Sequence, residues 1–240
     1  VVRTYGEEEA LQYAVNHINF TIDKGEFVVI LGQSGAGKST VLNMLGGMDQ
    51  PTEGEVIIDG ATISNMKDKQ LSDYRAEKIG FIFQFYNLIP TLTAYENVAL
   101  TKSIVKNAAS ADEMLAAVGL ADHKDKFPSQ LSGGEQQKIG LARTLYRTAD
   151  LVILDEPFSS MDQISANKIL KEMESIYPDK MMILITHDLH DLSGMDKILV
   201  LDEGQIVEEG TEKELILKKG KFFQMWRRNH TKEDAENEQL

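Results

Sequence analysis

A glycine-rich segment between an apolar run and a helix-forming run constrains this chain more than any other feature of its sequence. The apolar residues Phe27–Leu31 lead directly into residues 32–40, which match the pattern G-x-x-x-x-G-K-[ST]. Because glycine has no Cβ, such a segment can curl until successive backbone N–H groups face an anion at the start of the next helix. The sequence therefore predicts a strand, a phosphate-binding loop and a helix in that order.

The residues of this loop predict how a nucleotide and its metal ion would be held. The ammonium group of Lys38 would reach the β- and γ-phosphates, and the hydroxyl of Ser39 would ligate Mg²⁺. The other loop residues expected to contact the nucleotide are Gly32, Ser34, Gly35, Ala36, Gly37 and Thr40. A glycine-rich turn beside a solvated lysine is the alternative, and the flanking strand and helix disfavour it.

Two adjacent carboxylates follow a second apolar run. Residues 151–154 are Leu-Val-Ile-Leu, and Asp155 and Glu156 come directly after them. Beside a phosphate loop, Asp155 can hold Mg²⁺ or its bound water, while Glu156 can orient the attacking water or accept its proton. Two acids at a strand end can also be a helix N-cap and a solvated neighbour, so the interpretation of this pair depends on the loop.

Short β-branched runs alternate with longer helical stretches along the chain. This alternation is typical of an α/β fold in which crossover helices join mainly parallel strands. Residues 55–58 and 61–63 flank Asp59-Gly60, a dipeptide that favours a tight hairpin turn. We therefore predict a P-loop NTPase core with a mainly parallel sheet and an antiparallel β subdomain.

The region between the early and the late strands is predicted to be helical. Residues 94–104 and 111–118 are the candidate helices, within an inserted α-helical subdomain that covers about residues 87–145. The main domain, with this subdomain inside it, is expected to span residues 1–230. Residues 231–240 are almost entirely polar, with too little apolar surface to offset the entropy of ordering, and we expect a disordered tail.

Composition disfavours several function classes. The chain has no cysteine, which rules out disulfides and cysteine metal sites and favours a reducing, cytoplasmic compartment. Its formal net charge of −13 argues against a nucleic-acid partner, because phosphate backbones repel acidic surfaces. The longest apolar runs are strand-sized, far below the roughly 20 residues of a membrane-spanning helix. A role at a membrane would therefore need a partner or a further part of the protein.

Residues 131–137, Leu-Ser-Gly-Gly-Glu-Gln-Gln, resemble the signature segment of the ABC transporter ATPases. Three single residues resemble other motifs of that family: Gln84 the Q-loop glutamine, His187 the switch histidine and Asp162 the D-loop aspartate. With the phosphate loop and the acidic pair, these motifs occur in an order typical of the family and cover nearly the whole chain. The resemblance implies an enzyme that binds and hydrolyses ATP to drive transmembrane transport.

The resemblance also implies roles for residues in the site. The catalytic residues would be Glu156, His187 and Gln84. The Mg²⁺ ligands would be Ser39, Gln84 and Asp155. Tyr5 resembles the aromatic residue that stacks on adenine in this family, with Tyr13 as the rival candidate.

The signature segment would supply a second anion site. Ser132, Gly133, Gly134 and Glu135 lie at a predicted helix start, where backbone N–H groups favour a negative charge. By resemblance, the signature of each subunit closes on the γ-phosphate held by the phosphate loop of the other, and two ATP molecules are buried in a head-to-tail dimer with Asp162 near the nucleotide. One chain carries both halves, which permits a homodimer and leaves a heterodimer open.

Different parts of the chain resemble different ABC subfamilies. Residues 41–47 and 81–92 resemble free-standing ATPase subunits of the lipoprotein-releasing and macrolide-export type, which act with separate membrane permeases. Residues 204–211 resemble the end of exporters in which membrane and ATPase domains share one chain. A free-standing subunit is favoured, and a hybrid or an excised domain are the alternatives.

The resemblance implies membrane partners. These would be permease subunits or a fused membrane domain, which would place the chain at the cytoplasmic face of the membrane, in a transporter that is expected to export. An apolar cluster around Gln84 resembles the groove in which a permease docks, although most of its side chains could equally belong to the core: Phe83, Phe85, Tyr86, Leu88 and Ile89. Coupling of ATP hydrolysis to a non-transport membrane process such as cell division is the alternative function.

Overall fold

The computed structural model describes residues 1–7, 10–82, 87–100, 110–145, 149–158, 161–176, 179–186, 189, 192 and 194–237. The chain divides into two units. The first unit consists of residues 1–71 and 183–240, and the second consists of residues 72–182.

Strands and helices follow one another in the alternating order that the sequence predicts. The first part of the chain forms β1 (Arg3–Tyr5), β2 (Gln12–Val15), β3 (Phe27–Leu31), α1 (Lys38–Leu45), β4 (Ile57–Ile58), β5 (Ala61–Thr62) and α2 (Asp68–Glu77). The middle part forms β6 (Ile79–Ile82), α3 (Ala94–Ala99), α4 (Ala111–Ala117), α5 (Gly133–Leu145), β7 (Leu151–Asp155) and α6 (Gln163–Ile176). The last part forms β8 (Met181–Ile185), β9 (Lys197–Asp202), β10 (Gln205–Gly210), α7 (Glu212–Lys218) and α8 (Lys221–Asn237).

The core of the first unit is built around β3, whose five residues are all buried. Strand β3 lies between β9 and β8, and β10 follows β9 at the edge. The pairing of β3 with β9 is parallel, with Ile30 opposite Leu199, whereas β10 runs antiparallel to β9. A strand covered on both faces needs a continuous apolar run, which is what Phe27–Leu31 supplies. Its carboxyl end delivers the chain to the phosphate loop.

The predicted hairpin is confirmed. Strands β4 and β5 pair antiparallel, with Ile58 opposite Ala61. The two turn residues, Asp59 and Gly60, have φ angles of 51° and 76°. Positive φ at both central positions identifies a type I′ turn, whose twist matches that of the strands it joins.

Strands β1 and β2 form a separate antiparallel ribbon at the start of the chain. Thr4 lies opposite Tyr13, and Tyr5 lies opposite Gln12. Successive side chains of a strand point to opposite faces, so Tyr5 and Tyr13 lie on opposite faces of the ribbon. This placement separates the two candidates for a base-stacking residue.

The second unit combines a parallel strand pair with a group of helices. Strand β6 pairs parallel with β7, with Ile82 opposite Leu154. Helix α5 packs close to β6, because a Cβ added to Gly80 would lie 2.8 Å from the Cγ2 methyl group of Thr144. The parallel pairs of both units confirm the prediction of a mainly parallel sheet.

A buried asparagine organises the helical part of the second unit. Thr93 and Glu96 form a reciprocal capping box at the start of α3. Asn97 is fully buried, and its amide bonds the backbone of Ile89 through both its oxygen and its nitrogen and also bonds the carbonyl of Leu92. The predicted helices at 94–104 and 111–118 are described as α3 and α4, and residues 101–109 lie outside the described part of the chain.

Helix α8 continues to Asn237, into the residues 231–240 for which the sequence predicts a disordered tail. Glu, Lys and Ala have high helix propensities, so a polar segment can extend a helix that is already formed. Across the described residues, no helix combines the length and the apolar character that crossing a membrane requires.

Candidate functional site

The phosphate loop begins where β3 ends and closes on the start of α1. Ala36 N–H donates to the carbonyl of Gln33 at 3.1 Å, which forms the turn within the loop. Lys38, Ser39 and Thr40 form the first turn of α1, which follows the loop directly. The positive end of the helix dipole therefore lies at the end of the loop.

Gly37 fixes the way in which the loop meets the rest of the first unit. Its φ angle is 99°, in the left-handed region, and a Cβ at this position would lie 2.2 Å from the carbonyl oxygen of Ala14. Ala36 carbonyl accepts from Gly204 N–H at 3.1 Å, and Gly204 carbonyl accepts from Asn16 N–H at 2.8 Å. The end of β2 and the β9–β10 turn therefore hold the loop in place.

The ammonium group of Lys38 folds back over the loop. Its Nζ atom donates to the carbonyl oxygens of Gly32 at 2.7 Å and of Gln33 at 2.8 Å. A positive charge is thus held against the backbone at the start of the loop. An anion bound there would meet both the fixed charge and the backbone donors.

The residues proposed to hold Mg²⁺ have suitable donor chemistry. Mg²⁺ prefers a few hydroxyl or carboxylate oxygens, with the remaining positions filled by water and phosphate. Ser39 exposes its side chain in the first turn of α1, and Asp155 ends the buried strand β7. Among the described residues, no group of three or more His, Asp or Glu converges as a metal site of its own. Each of these two side chains is therefore of a type that can ligate Mg²⁺.

Glu156 has a strained backbone. Its φ angle is 45°, in the left-handed region that non-glycine residues adopt at a cost of about 1–2 kcal/mol. Such residues concentrate at functional sites, where the surrounding structure fixes the direction of a side chain. The following helix α6 is capped by Asp162 and not by Asp155 or Glu156, so the helix-cap alternative for the acidic pair is wrong.

Asp162 holds the start of α6. Its Oδ1 atom accepts from Ser165 N–H at 2.9 Å, and its carbonyl accepts from Ala166 N–H at 3.0 Å. The hydrogen bond from the Ser165 backbone lowers the pKa of the Asp162 carboxyl. The residue that resembles the D-loop aspartate is therefore a helix N-cap.

The signature residues form a reciprocal capping box at the start of α5. The backbone N–H and the hydroxyl of Ser132 donate to Glu135 Oε2 at 2.7 and 2.8 Å, and Glu135 N–H donates to Ser132 Oγ at 3.3 Å. Gly133 and Gly134 form the first turn between them. The hydrogen bonds from the Ser132 backbone and hydroxyl lower the pKa of the Glu135 carboxyl. A carboxylate thus lies at the predicted anion site.

His123 contacts the signature segment, and the sequence does not predict this contact. Its Nδ1 atom lies 2.8 Å from Glu135 Oε1, at ion-pair distance but without hydrogen-bond geometry. The contact is attractive when the imidazole is protonated. His123 belongs to a short 3₁₀ turn before the signature. No sequence pattern shows that this turn brings the imidazole to Glu135.

Tyr5 is held by two residues that the sequence analysis also missed. Its hydroxyl donates to Asp49 Oδ2 at 2.6 Å, and the guanidinium carbon of Arg3 lies 4.5 Å above the ring centroid. Tyr13, on the opposite face of the ribbon, is 48% exposed. The alternation of Arg3 and Tyr5 along a strand predicts a shared face, but no sequence signal points to Asp49.

The candidate residues fall into both units. The phosphate loop and Tyr5 belong to the first unit, and the signature, the acidic pair and Asp162 belong to the second. Gln84 and His187 lie outside the described residues, as do Phe83, Phe85 and Tyr86 of the proposed docking cluster.

Comparison with known proteins gives consistent results. A family model described as ABC transporter matches residues 15–159. The ABC transporter ATP-binding protein MJ0796 of Methanocaldococcus jannaschii is 38% identical over 220 residues, which cover 87% of this chain and 94% of that protein. The macrolide export ATP-binding/permease protein MacB of Mannheimia succiniciproducens is 38% identical over 213 residues, which cover 86% of this chain. The match spans 33% of the length of that relative.

Two solved structures are similar to most of this chain. A dimeric structure of MJ0796 in a post-hydrolysis state with ADP and Pi has a TM-score of 0.81 and 36% identity, and the match covers 88% of this chain and 96% of that one. A bacterial Atm1-family ABC exporter with ATP bound has a TM-score of 0.83 and 28% identity, and the match covers 95% of this chain and 41% of that one.

Proposed function

This chain belongs to the ABC transporter family and is an ATP-binding, ATP-hydrolysing domain of it, and on that premise we propose that it works as one half of a dimer around two ATP molecules. The observation that carries the proposal is that one chain contains two helix N-termini at which a phosphate could bind. One is a cationic loop that can receive phosphate, and the other is the signature helix capped by its own glutamate.

The phosphate loop would bind the triphosphate, with Lys38 on the β- and γ-phosphates. Ser39 and Asp155, with Gln84, would hold Mg²⁺, and the ion would neutralise charge on the phosphate oxygens. Tyr5 would stack on the adenine ring.

Glu156 would orient the attacking water and accept its proton. Its fixed backbone supports this role, because a strained residue directs its side chain reproducibly. His187 would hydrogen-bond the γ-phosphate or hold the water and Glu156 in place.

The second half of each site would come from the partner's signature segment. Ser132, Gly133 and Gly134 would then face the γ-phosphate, with Glu135 and Asp162 at the edge of the site. Two dimeric structures of MJ0796, one of them bound to ADP and Pi, support a dimer as the working form. For a γ-phosphate to approach, the hydroxyl of Ser132 would exchange its bond to Glu135 for one to the phosphate.

We place this domain over residues 1–230 and at the cytoplasmic face of a membrane, bound to permease subunits or to a fused membrane domain. The name of the MacB relatives, macrolide export ATP-binding/permease protein, supports both export and a membrane permease as partner. Export by the complete protein is part of the proposal.

The test uses Glu156→Gln, which would bind ATP without hydrolysing it and so trap the closed state. Size-exclusion chromatography with light scattering should show a dimer only with ATP and Mg²⁺. Glu55→Gln removes the same charge from an exposed position and should stay monomeric under turnover. Bound ATP in a Glu156→Gln sample that stays monomeric would contradict the homodimer.

A further inference from the structure

Arg3 and Asp49 form a fork-like ion pair on the first unit. Nε of Arg3 donates to Oδ2 of Asp49 at 2.9 Å, and Nη2 of Arg3 lies 2.8 Å from Oδ1. Two parallel N–H···O contacts fix the plane of a guanidinium more firmly than a single contact does. The side chains are 25% and 19% exposed, so the pair is partly shielded from water.

This ion pair also fixes the Tyr5 ring. The Tyr5 hydroxyl donates to the same Oδ2 atom of Asp49, and the Arg3 guanidinium covers one face of the ring. The ring is therefore held at its hydroxyl and across one face. Tyr5 nevertheless remains 43% exposed, so ring surface stays accessible.

The ribbon that carries Tyr5 adjoins the phosphate loop. Strand β2 pairs with β1, and the Ala14 carbonyl oxygen of β2 would lie 2.2 Å from a Cβ added to Gly37. One ligand could therefore place its phosphates in the loop and a ring on Tyr5.

We propose that Arg3 and Asp49 are positioning residues that hold the Tyr5 ring ready to stack on the nucleobase of ATP. The inference rests on the base-stacking role proposed for Tyr5. A ring that is already fixed loses less conformational entropy when a base stacks on it, and the guanidinium adds a cation–π contact to its far face. Arg3 and Asp49 thus affect the binding of the base and leave the binding of the phosphates unchanged.

Calorimetric titration of the full chain with ATP and with inorganic tripolyphosphate separates these two contributions. Arg3→Gln and Asp49→Asn should each weaken ATP binding about two- to tenfold. The affinity for tripolyphosphate should not change, and turnover should show a raised KM with an unchanged kcat. Lys213→Gln removes the same charge from an exposed position on α7 and should change neither affinity.

A double-mutant cycle tests whether the effect passes through Tyr5. In a Tyr5→Ala background, Arg3→Gln should have no further effect on ATP affinity. A further loss in that background, or an equal loss of tripolyphosphate affinity, would overturn the inference.

The same titrations separate this inference from the function on which it rests. If Tyr5→Ala weakens ATP binding but Arg3→Gln and Asp49→Asn do not, the positioning role fails and base stacking stands. If Tyr5→Ala leaves ATP affinity unchanged, the stacking role fails and the positioning role fails with it.

Discussion

The starts of α1 and α5 are both sites where an anion could bind, but they are prepared in opposite ways. Helix α1 starts after a glycine with a left-handed backbone, and its first residue, Lys38, adds a positive charge. Helix α5 starts with a serine and a glutamate that bond each other, which places a carboxylate where the anion would come. The start of α1 can accept a phosphate as it is, whereas at the start of α5 the Ser132 hydroxyl must first release Glu135.

In the proposed dimer, this difference would suit a site built from two subunits. An anion at the signature helix would have to displace Glu135 from Ser132. A phosphate held by the partner's loop would meet that condition, because the loop would supply the binding free energy. The signature would then respond to nucleotide without binding it alone.

The largest effect is expected when the positive charge at the start of α1 is removed. Lys38→Ala should weaken ATP binding by about 10- to 150-fold, because charge-assisted hydrogen bonds to the phosphates are lost. Equilibrium dialysis measures the change, with Lys24→Ala as an exposed lysine control. Unchanged affinity in Lys38→Ala would remove the loop from the proposed site.

A second test concerns the glycine start of α1. Gly37→Ala combines a left-handed backbone with a contact of 2.2 Å and should destabilise the chain by about 2–3 kcal/mol. Gly35→Ala has a φ of 81° but no atom within 4 Å of its added Cβ, so it should cost only about 1 kcal/mol. Urea unfolding measures the free energy of unfolding of both variants. Equal losses would show that the contact with Ala14 does not contribute to the destabilisation.

A third test removes the serine that caps the start of α5. Ser132→Ala should reduce stability by about 1 kcal/mol, because a helix cap is lost. It should also lower turnover in the dimer without changing the ATP affinity of the monomer. Thr211→Ala breaks a capping box of the same kind on α7 and should leave turnover unchanged. Equal turnover in the two variants would separate the signature from catalysis.

The smallest expected effect is a pH dependence at α5. The folded-state pKa of Glu135 is lowered by hydrogen bonds from Ser132, so its stabilising contribution is present above the unfolded pKa of about 4.3 and is lost as pH falls through the folded value. The difference in unfolding free energy between wild type and Glu135→Gln should therefore shrink between about pH 5 and pH 3. A constant difference over that range would contradict the capping role of the charge.

Sequence reasoning succeeded where neighbouring residues determine the structure. The strand before the phosphate loop, the Asp59-Gly60 turn and strand β7 follow from apolar runs and glycines that lie together in the chain. The residues around Tyr5 could not be predicted this way, because Asp49 is 46 residues from Arg3. The contact of His123 with Glu135 likewise depends on how the turns before α5 fold.

The end of the chain shows a second limit of composition. Low apolar content argues against burial, but a helix that is already nucleated can be extended by residues with high helix propensity. Helix α8 extends to Asn237 in this way, into the segment for which the sequence predicts disorder.

The left-handed backbone at Glu156 also limits how this position can change during evolution. A β-branched side chain adds steric cost to that conformation, whereas Asn, Asp and Gly tolerate it. A substitution at Glu156 is therefore selected for its fit to the backbone as well as for its chemistry. Lineages that replace Glu156 should arrive at Asn, Asp or Gly here more often than at Val, Ile or Thr.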